Sequence, residues 1–370
     1  MIGSKVMKIQ ANDLKRQYDL YSNEFKKKAS EILDSGWYVL GKEVSSFEEE
    51  LASYIGQKYC VGLASGLDAL QIAFRVFGIK KDDEVIVCSN AYIACVMGIT
   101  LNEATPIFVE PDEYDNIDAN KIEEKITDKT KAILAVHLYG QSCDMTKIMN
   151  IANKYNLKVV EDCAQADGTL WNNKKCGSFG DISCFSFYPT KNLGGFGDGG
   201  ALITNNEEYA DLARTIRNYG SKIHYQNELV GMNSRLDEIQ AGLLRIKLKH
   251  LDEINKERNR IAEKYNKGIN NELIKPLQTR PGCYNTWHQY VVHCEKREEL
   301  ENYLLANGIK TAIHYPIPPH LSKAYAYLGY KKGDYPKAEK YAKEALSLPM
   351  YNGIKDEEVD YVIRKINEFE

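Results

Sequence analysis

The residues best suited to covalent chemistry lie in one run, Ser186-Phe187-Tyr188-Pro189-Thr190-Lys191-Asn192-Leu193-Gly194-Gly195-Phe196-Gly197-Asp198-Gly199-Gly200. A lysine placed just past an apolar strand and followed by five glycines is unlike an ordinary surface lysine. Glycines let backbone approach a ligand closely or take up positive φ. A lysine amine in a partly desolvated cleft loses basicity, forms an imine with a carbonyl carbon and then moves protons. Read alone, the run also fits a solvated loop lysine beside a flexible turn.

Three other segments bear on the choice. In Val159-Val160-Glu161-Asp162-Cys163-Ala164-Gln165 an apolar strand runs straight into two carboxylates. An acid there can pair with a protonated ring nitrogen and keep a pyridinium positive, or it can simply cap a helix. Ser65-Gly66-Leu67-Asp68-Ala69 follows a strand and opens a helix, so free backbone N–H groups offer an anion site; a plain strand-to-helix turn has the same sequence. Asn90-Ala91-Tyr92 brings an aromatic ring to a strand end, to cover a flat cofactor or to fill the core. Together a phosphate site, a ring-face aromatic, a pyridinium carboxylate and a Schiff-base lysine make the inventory of a pyridoxal 5′-phosphate site. No metal-ligand pattern competes with it.

These residues need a scaffold that gathers strand ends. From about residue 57 to 205, β-rich runs (Lys58–Leu63, Glu84–Cys88, Thr105–Val109, Ala132–His137, Lys158–Glu161, Ile182–Phe187, Gly200–Thr204) alternate with helical stretches (Asp68–Phe77, Tyr92–Asn102, Asp118–Thr127, Asp144–Tyr155, Glu207–Tyr219). The alternation predicts an α/β fold with a mostly parallel sheet and ligands at the carboxyl ends of its strands. A long helix is expected from Arg235 to about Lys267, bent near Leu251. Beyond it a strand His288–His293 and helices Arg297–Asn307 and Asp356–Phe369 predict a small α+β domain. The division is therefore a large domain over residues 1–249 and a smaller one over 250–370.

The bulk properties agree. A length of 370 residues suits two domains. The net charge of −4 argues against nucleic acid as a partner. No apolar run reaches the roughly 20 residues of a membrane span, and Met1-Ile2-Gly3-Ser4-Lys5 shows no signal-peptide core. The nine cysteines form no C-x-x-C pair, which fits buried thiols in a reducing, cytoplasmic setting.

On these residues the chain resembles the DegT/DnrJ/StrS group of sugar-nucleotide aminotransferases, among the pyridoxal-phosphate enzymes of fold type I, the aspartate-aminotransferase-like fold. The resemblance spans nearly the whole length; its most specific stretches are Ser186–Gly200 and Glu161–Gln165, with Gly231-Met232-Asn233-Ser234-Arg235-Leu236 and His314-Tyr315-Pro316 in support. It implies that Lys191 forms the Schiff base, Asp162 pairs with the pyridine nitrogen, Gln165 sits beside the phenolic oxygen and Tyr92 stacks on the ring. It further implies that Gly66, Leu67 and Ser186 hold the phosphate and that Asn233 completes that site from a second subunit, in a homodimer with shared active sites. Leu67 departs from the hydroxyl residue many members carry, which leaves only its backbone for the phosphate.

The resemblance also implies the reaction, transfer of an amino group from L-glutamate to a nucleotide-linked keto sugar. The stretch His314-Tyr315-Pro316-Ile317-Pro318-Pro319-His320 looks like that of members that aminate C3 of dTDP-linked 3-keto-6-deoxyhexoses. Tyr188, His314, Tyr315 and His320 are then substrate candidates, with His137 beside them and Arg235 as a contact for the donor carboxylate. A rigid proline turn with surface histidines is the plainer reading of the stretch. The alternatives are C4 amination of a UDP- or dTDP-4-keto sugar and a non-catalytic cofactor-binding regulator.

Overall fold

A computed structural model describes residues 7–223 and 225–370; the start at Met1–Lys5 lies outside them. The chain enters through three helices, α1 (Leu14–Asp19), α2 (Ser22–Ser35) and α3 (Lys42–Ile55). The alternation that begins near residue 57 says nothing of them. α2 buries only Phe25 and Ile32, too thin an apolar stripe to signal a packed helix.

The central sheet has seven strands: β1 (Tyr59–Leu63), β2 (Glu84–Cys88), β3 (Thr105–Val109), β4 (Thr130–Val136), β5 (Lys158–Asp162), β6 (Ile182–Ser186) and β7 (Gly200–Thr204). Their order is β1-β7-β6-β5-β4-β2-β3. β2 through β6 run parallel, whereas β7 is antiparallel to both β1 and β6. All seven expected strands are present, within two residues at each end. Helices α4 (Gly66–Val76), α5 (Ile93–Thr100), α6 (Met145–Tyr155) and α7 (Glu207–Arg217) follow the expected order. Asp118–Thr127 instead forms two short 3₁₀ turns, 119–121 and 123–125. Its buried residues Ala119 and Ile122 are three apart, which suits three residues per turn rather than an α-helix.

The long helix is two, α8 (Glu238–Lys249) and α9 (Leu251–Gly268), joined at His250 near the expected bend. It begins three residues later than expected, because Asp237 is extended and Glu238 turns inward. The buried Glu238 carboxylate accepts from the N–H groups of Gly41, Glu43 and Val44, so it caps the start of α3. C-terminal to this, α10 (Arg297–Ala306), α11 (Pro336–Glu344) and α12 (Asp356–Asn367) accompany a small antiparallel sheet of β8 (Lys275–Pro276), β9 (Tyr290–His293) and β10 (Ala345–Leu348). One apolar core fills the central sheet; a second joins Ile9, α9, α10, α12 and the small sheet. Tyr325, Tyr335 and Ala338 return from the C-terminal half to the first core, so the loop before them is drawn across the sheet's carboxyl edge.

Candidate active site

A cleft of about 460 Å³ opens at the carboxyl ends of β1, β2, β4, β5 and β6 and is closed on its far side by His288, Gln289, His314 and Tyr315. Lys191 and Asp162 line it, with Gly66, Leu67, Tyr92, Gln165, Ser186 and Tyr188.

Lys191 is fixed through its loop rather than its side chain. Its N–H donates to Tyr188 O at 2.8 Å, and the next residues are tied on every side. Asn192 Nδ2 donates to Asn255 Oδ1 and to Thr286 O, both at 2.9 Å, Leu193 N–H donates to Asp167 Oδ2 at 3.1 Å and Lys247 Nζ donates to Gly194 O at 2.8 Å. A Cβ on Gly194 would lie 2.3 Å from Pro189 O, so this turn closes only with glycine there. Burial pushes the Lys191 amine below its ordinary basicity, and the charges of Asp162 and Asp167 only partly restore it. A greater share of the amine is then free base near neutral pH.

The phosphate candidates meet at the N-terminus of α4. Ser65 Oγ accepts from Asp68 N–H, and the N–H groups of Gly66 and Leu67 have no acceptor within the helix. Ser186 packs against Gly66: a Cβ at 66 would fall 2.7 Å from that of Ser186. Gly200 enforces the same close approach, since a Cβ there would stand 2.3 Å from the Ser65 carbonyl carbon. These contacts make a cradle of free N–H groups at a positive helix end.

Asp162 ends β5 with its carboxylate buried at 6 % exposure, accepting from Ala164 N–H at 3.0 Å and from Cys95 Sγ at 3.0 Å. Its neighbour Glu161 points the other way and is structural. Glu161 accepts from the N–H groups of Gly177, Phe179 and Gly180 and from His137 Nε2, and these bonds hold it ionised against its burial. His137 Nδ1 accepts from Cys143 N–H while Nε2 meets Glu161, so both ring nitrogens of the His137–Glu161–Cys163 cluster are already engaged within the protein.

Gln165 takes its carbonyl to Tyr139 N–H at 2.7 Å and its amide to Tyr315 Oη at 3.1 Å. His314 bonds Ser347 Oγ at 2.8 Å, and burial lowers its imidazolium to about 4, so it meets a ligand neutral. His288, unremarked in the sequence beyond a strand that in fact starts at Tyr290, also lines the cleft; burial and the Lys191 charge hold it neutral. Its only sequence signal is a polar His-Gln pair between two buried aromatics.

Two expected residues lie elsewhere, and a third, Asn233, lies outside this chain's cleft as a residue expected to serve a second subunit would. His320 is buried away from the cleft, bonded to Glu339 at 3.1 Å and packed between Phe108 and Tyr335; the tyrosines that return to the main core carry it inward. Arg235 bonds Asn218 and lies against the Tyr219 ring rather than entering the cleft. Asn233 is exposed on its own chain and does not line that chain's cleft.

A buried carboxylate, a cradle of free N–H groups and a lysine of lowered basicity, in a cleft of this size, fit pyridoxal phosphate, and the fold around them is that of the fold type I enzymes using this cofactor. A model of the DegT/DnrJ/EryC1/StrS aminotransferase family matches residues 20–367, and the chain belongs to that family. It is 49% identical over 358 residues to the dTDP-3-amino-3,6-dideoxy-alpha-D-galactopyranose transaminase of Aneurinibacillus thermoaerophilus, covering 96% of this chain and 98% of the relative. A pleiotropic regulatory protein of Geobacillus stearothermophilus is 42% identical, with 98% and 99% covered. Among solved structures, S. venezuelae DesV in complex with a ketimine intermediate superposes with a TM-score of 0.95 at 43% identity, covering 98% of both chains. The protein is a sugar-nucleotide aminotransferase that uses pyridoxal phosphate.

Proposed function

We propose that this enzyme moves an amino group from L-glutamate to the C3 ketone of a dTDP-linked 3-keto-6-deoxyhexose, acting in the cytoplasm as a homodimer with shared active sites. Placement of the Lys191 amine and the Asp162 carboxylate in one cleft carries the chemistry. The choice of C3 and of dTDP rests on the relative that is 49% identical and is named for a 3-amino sugar.

Pyridoxal phosphate, when bound, supplies an aldehyde that captures amines and a ring that takes up the electron pair left on the donor's α-carbon. The chain's residues do the rest. Asp162, which lines the cleft, would pair with the ring nitrogen and keep it protonated by its charge. Lys191 Nζ, its basicity lowered by burial, takes the proton from the donor's Cα and in the second half-reaction returns one to the sugar carbon being aminated. Gly66 and Leu67 N–H, with Ser186, would hold the phosphate, and Tyr92 would cover the ring. Tyr188, His314 and Tyr315 stand on the sugar side, where a neutral His314 recognises hydroxyls by hydrogen bonding rather than by charge.

Exposed apolar side chains support the dimer: Trp37 is 64 % and Val230 82 % exposed, with Asn233 three residues on from Val230. Apolar side chains left this exposed are ones a second subunit would cover. We also propose that residues 1–249 form the cofactor domain and 250–370 the smaller one, since α9, α10, α12 and the small sheet build the second core, although Ile9 joins it and Tyr325, Tyr335 and Ala338 pack in the first.

Assaying dTDP-3-keto and dTDP-4-keto 6-deoxyhexoses side by side with glutamate tests the substrate. Faster turnover of the 4-keto sugar overturns the C3 assignment. The regulatory relative favours one other reading, a cofactor-binding regulator. Glutamate that leaves the cofactor absorbance unchanged supports that reading against transamination.

A further inference from the structure

Asp162 is served by a side chain that the inventory of the site does not contain. Cys95 lies in the first turn of α5, is 1 % exposed and borders the cleft. Its Sγ stands 3.0 Å from Asp162 Oδ2, while Asp162 Oδ1 is engaged by Ala164 N–H. Burial, and then the neighbouring carboxylate, push the thiol well above its ordinary pKa, so the group is S–H and donates. α5 cannot drift: Gly98 lets it lie against α4 so closely that a Cβ there would be 2.7 Å from that of Leu70.

We propose that Cys95 is a positioning residue for Asp162, its S–H holding the carboxylate in the orientation that keeps the cofactor's ring nitrogen protonated. A thiol suits the task because it is a weak donor. It fixes the carboxylate's rotation while leaving most of the negative charge for the ring. The inference rests on the pairing of Asp162 with the pyridine nitrogen proposed above.

The test uses holoenzyme reconstituted with pyridoxal phosphate labelled with ¹⁵N in the ring, in wild type, Cys95→Ala, Cys95→Val, Cys95→Ser and Asp162→Asn. The readouts are the ring-nitrogen chemical shift across pH and kcat and KM for glutamate. Cys95→Ala and Cys95→Val should move the nitrogen signal toward the unprotonated position and lower kcat by about 3–10-fold, the worth of one hydrogen bond, with KM little changed. Cys95→Ser should restore most of both, since it returns a donor. If either apolar variant folds and keeps the wild-type nitrogen signal and kcat while Asp162→Asn loses them, Cys95 only fills space and the inference falls alone. If Asp162→Asn itself keeps the wild-type signal, the pairing of Asp162 falls and takes this inference with it.

Discussion

The rings of Tyr92 and Tyr315 face each other across the cleft with centroids 4.7 Å apart and planes tilted by 32°. Tyr92 precedes α5 on the sheet side, whereas Tyr315 arrives on the C-terminal loop and also accepts from the Gln165 amide at 3.1 Å. The residue proposed to cover the cofactor and one proposed for the substrate side are therefore one packed unit, and changing either should be felt by both ligands.

Tyr92→Ala removes this ring contact and the cover over the cofactor. Aromatic pairs of this kind contribute about 0.5–1.5 kcal/mol beyond burial, so the Kd for pyridoxal phosphate should rise up to about tenfold. Titration of apoprotein with the cofactor measures it. Tyr315→Phe keeps the ring but strands the Gln165 amide, and should raise KM for the keto sugar more than the cofactor Kd; the reverse ranking would contradict the assignment of Tyr315 to the substrate side.

Lys191→Ala should lower turnover by roughly 10²–10⁴-fold or more, since general acid–base catalysis alone contributes that much. Borohydride reduction followed by peptide mass analysis should place the cofactor on the Lys191 peptide in wild type and nowhere in the variant. Label on another lysine would move the covalent attachment elsewhere.

Asp167 sets a pH dependence. Burial raises its carboxyl to about 7, and Leu193 N–H and the nearby Lys191, Lys247 and Arg258 charges only partly offset this. The folded state thus holds this proton more tightly than the unfolded chain. Its contribution to stability is complete below the ordinary carboxyl range and is lost as pH rises to about 7. Between pH 5 and pH 8 wild type should lose roughly 2–3 kcal/mol relative to Asp167→Asn. Urea unfolding across that range reads the difference, and parallel curves for the two proteins would exclude it.

What the sequence revealed follows from how local each signal is. Strands such as Glu84–Cys88 are short apolar runs bounded by turns, and burial on both faces makes them legible residue by residue. Lys191 and Asp162 stood out because a charged group directly after such a strand is unusual. Cys95 did not, since a buried cysteine in an apolar helix looks like packing until the fold sets it against a carboxylate 67 positions away. His320 misled for the complementary reason. Its proline-rich neighbourhood fixes a loop, but the tyrosines that carry that loop into the main core lie beyond it and form no periodic pattern.

His320→Ala should therefore act on stability. It removes a buried ring and the bond to Glu339, a loss of about 2–4 kcal/mol by comparison with other large-to-small changes. Thermal unfolding should show it, with KM for the keto sugar within about twofold of wild type, less than one hydrogen bond's worth. A tenfold rise in KM at unchanged stability would return His320 to the substrate.

Asn233 supplies the sharpest test of the shared site. It is exposed on its own chain and tied by a β-bridge to Asn218, so its place in a phosphate site depends on a second copy. Asn233→Ala should weaken cofactor binding by about one hydrogen bond to a charged group, roughly 1.5–3 kcal/mol, and leave little activity at limiting cofactor. Lys191→Ala should be inactive for its own reason. In a mixed dimer of the two variants, one site carries both defects and the other draws an intact Lys191 from one chain and an intact Asn233 from its partner. Co-refolding the two should thus regain activity that neither has alone, approaching a quarter of wild type if random pairing makes half the dimers mixed with one good site each. Regain of no activity, with mixed dimers shown to form, would place Asn233 outside the neighbouring site.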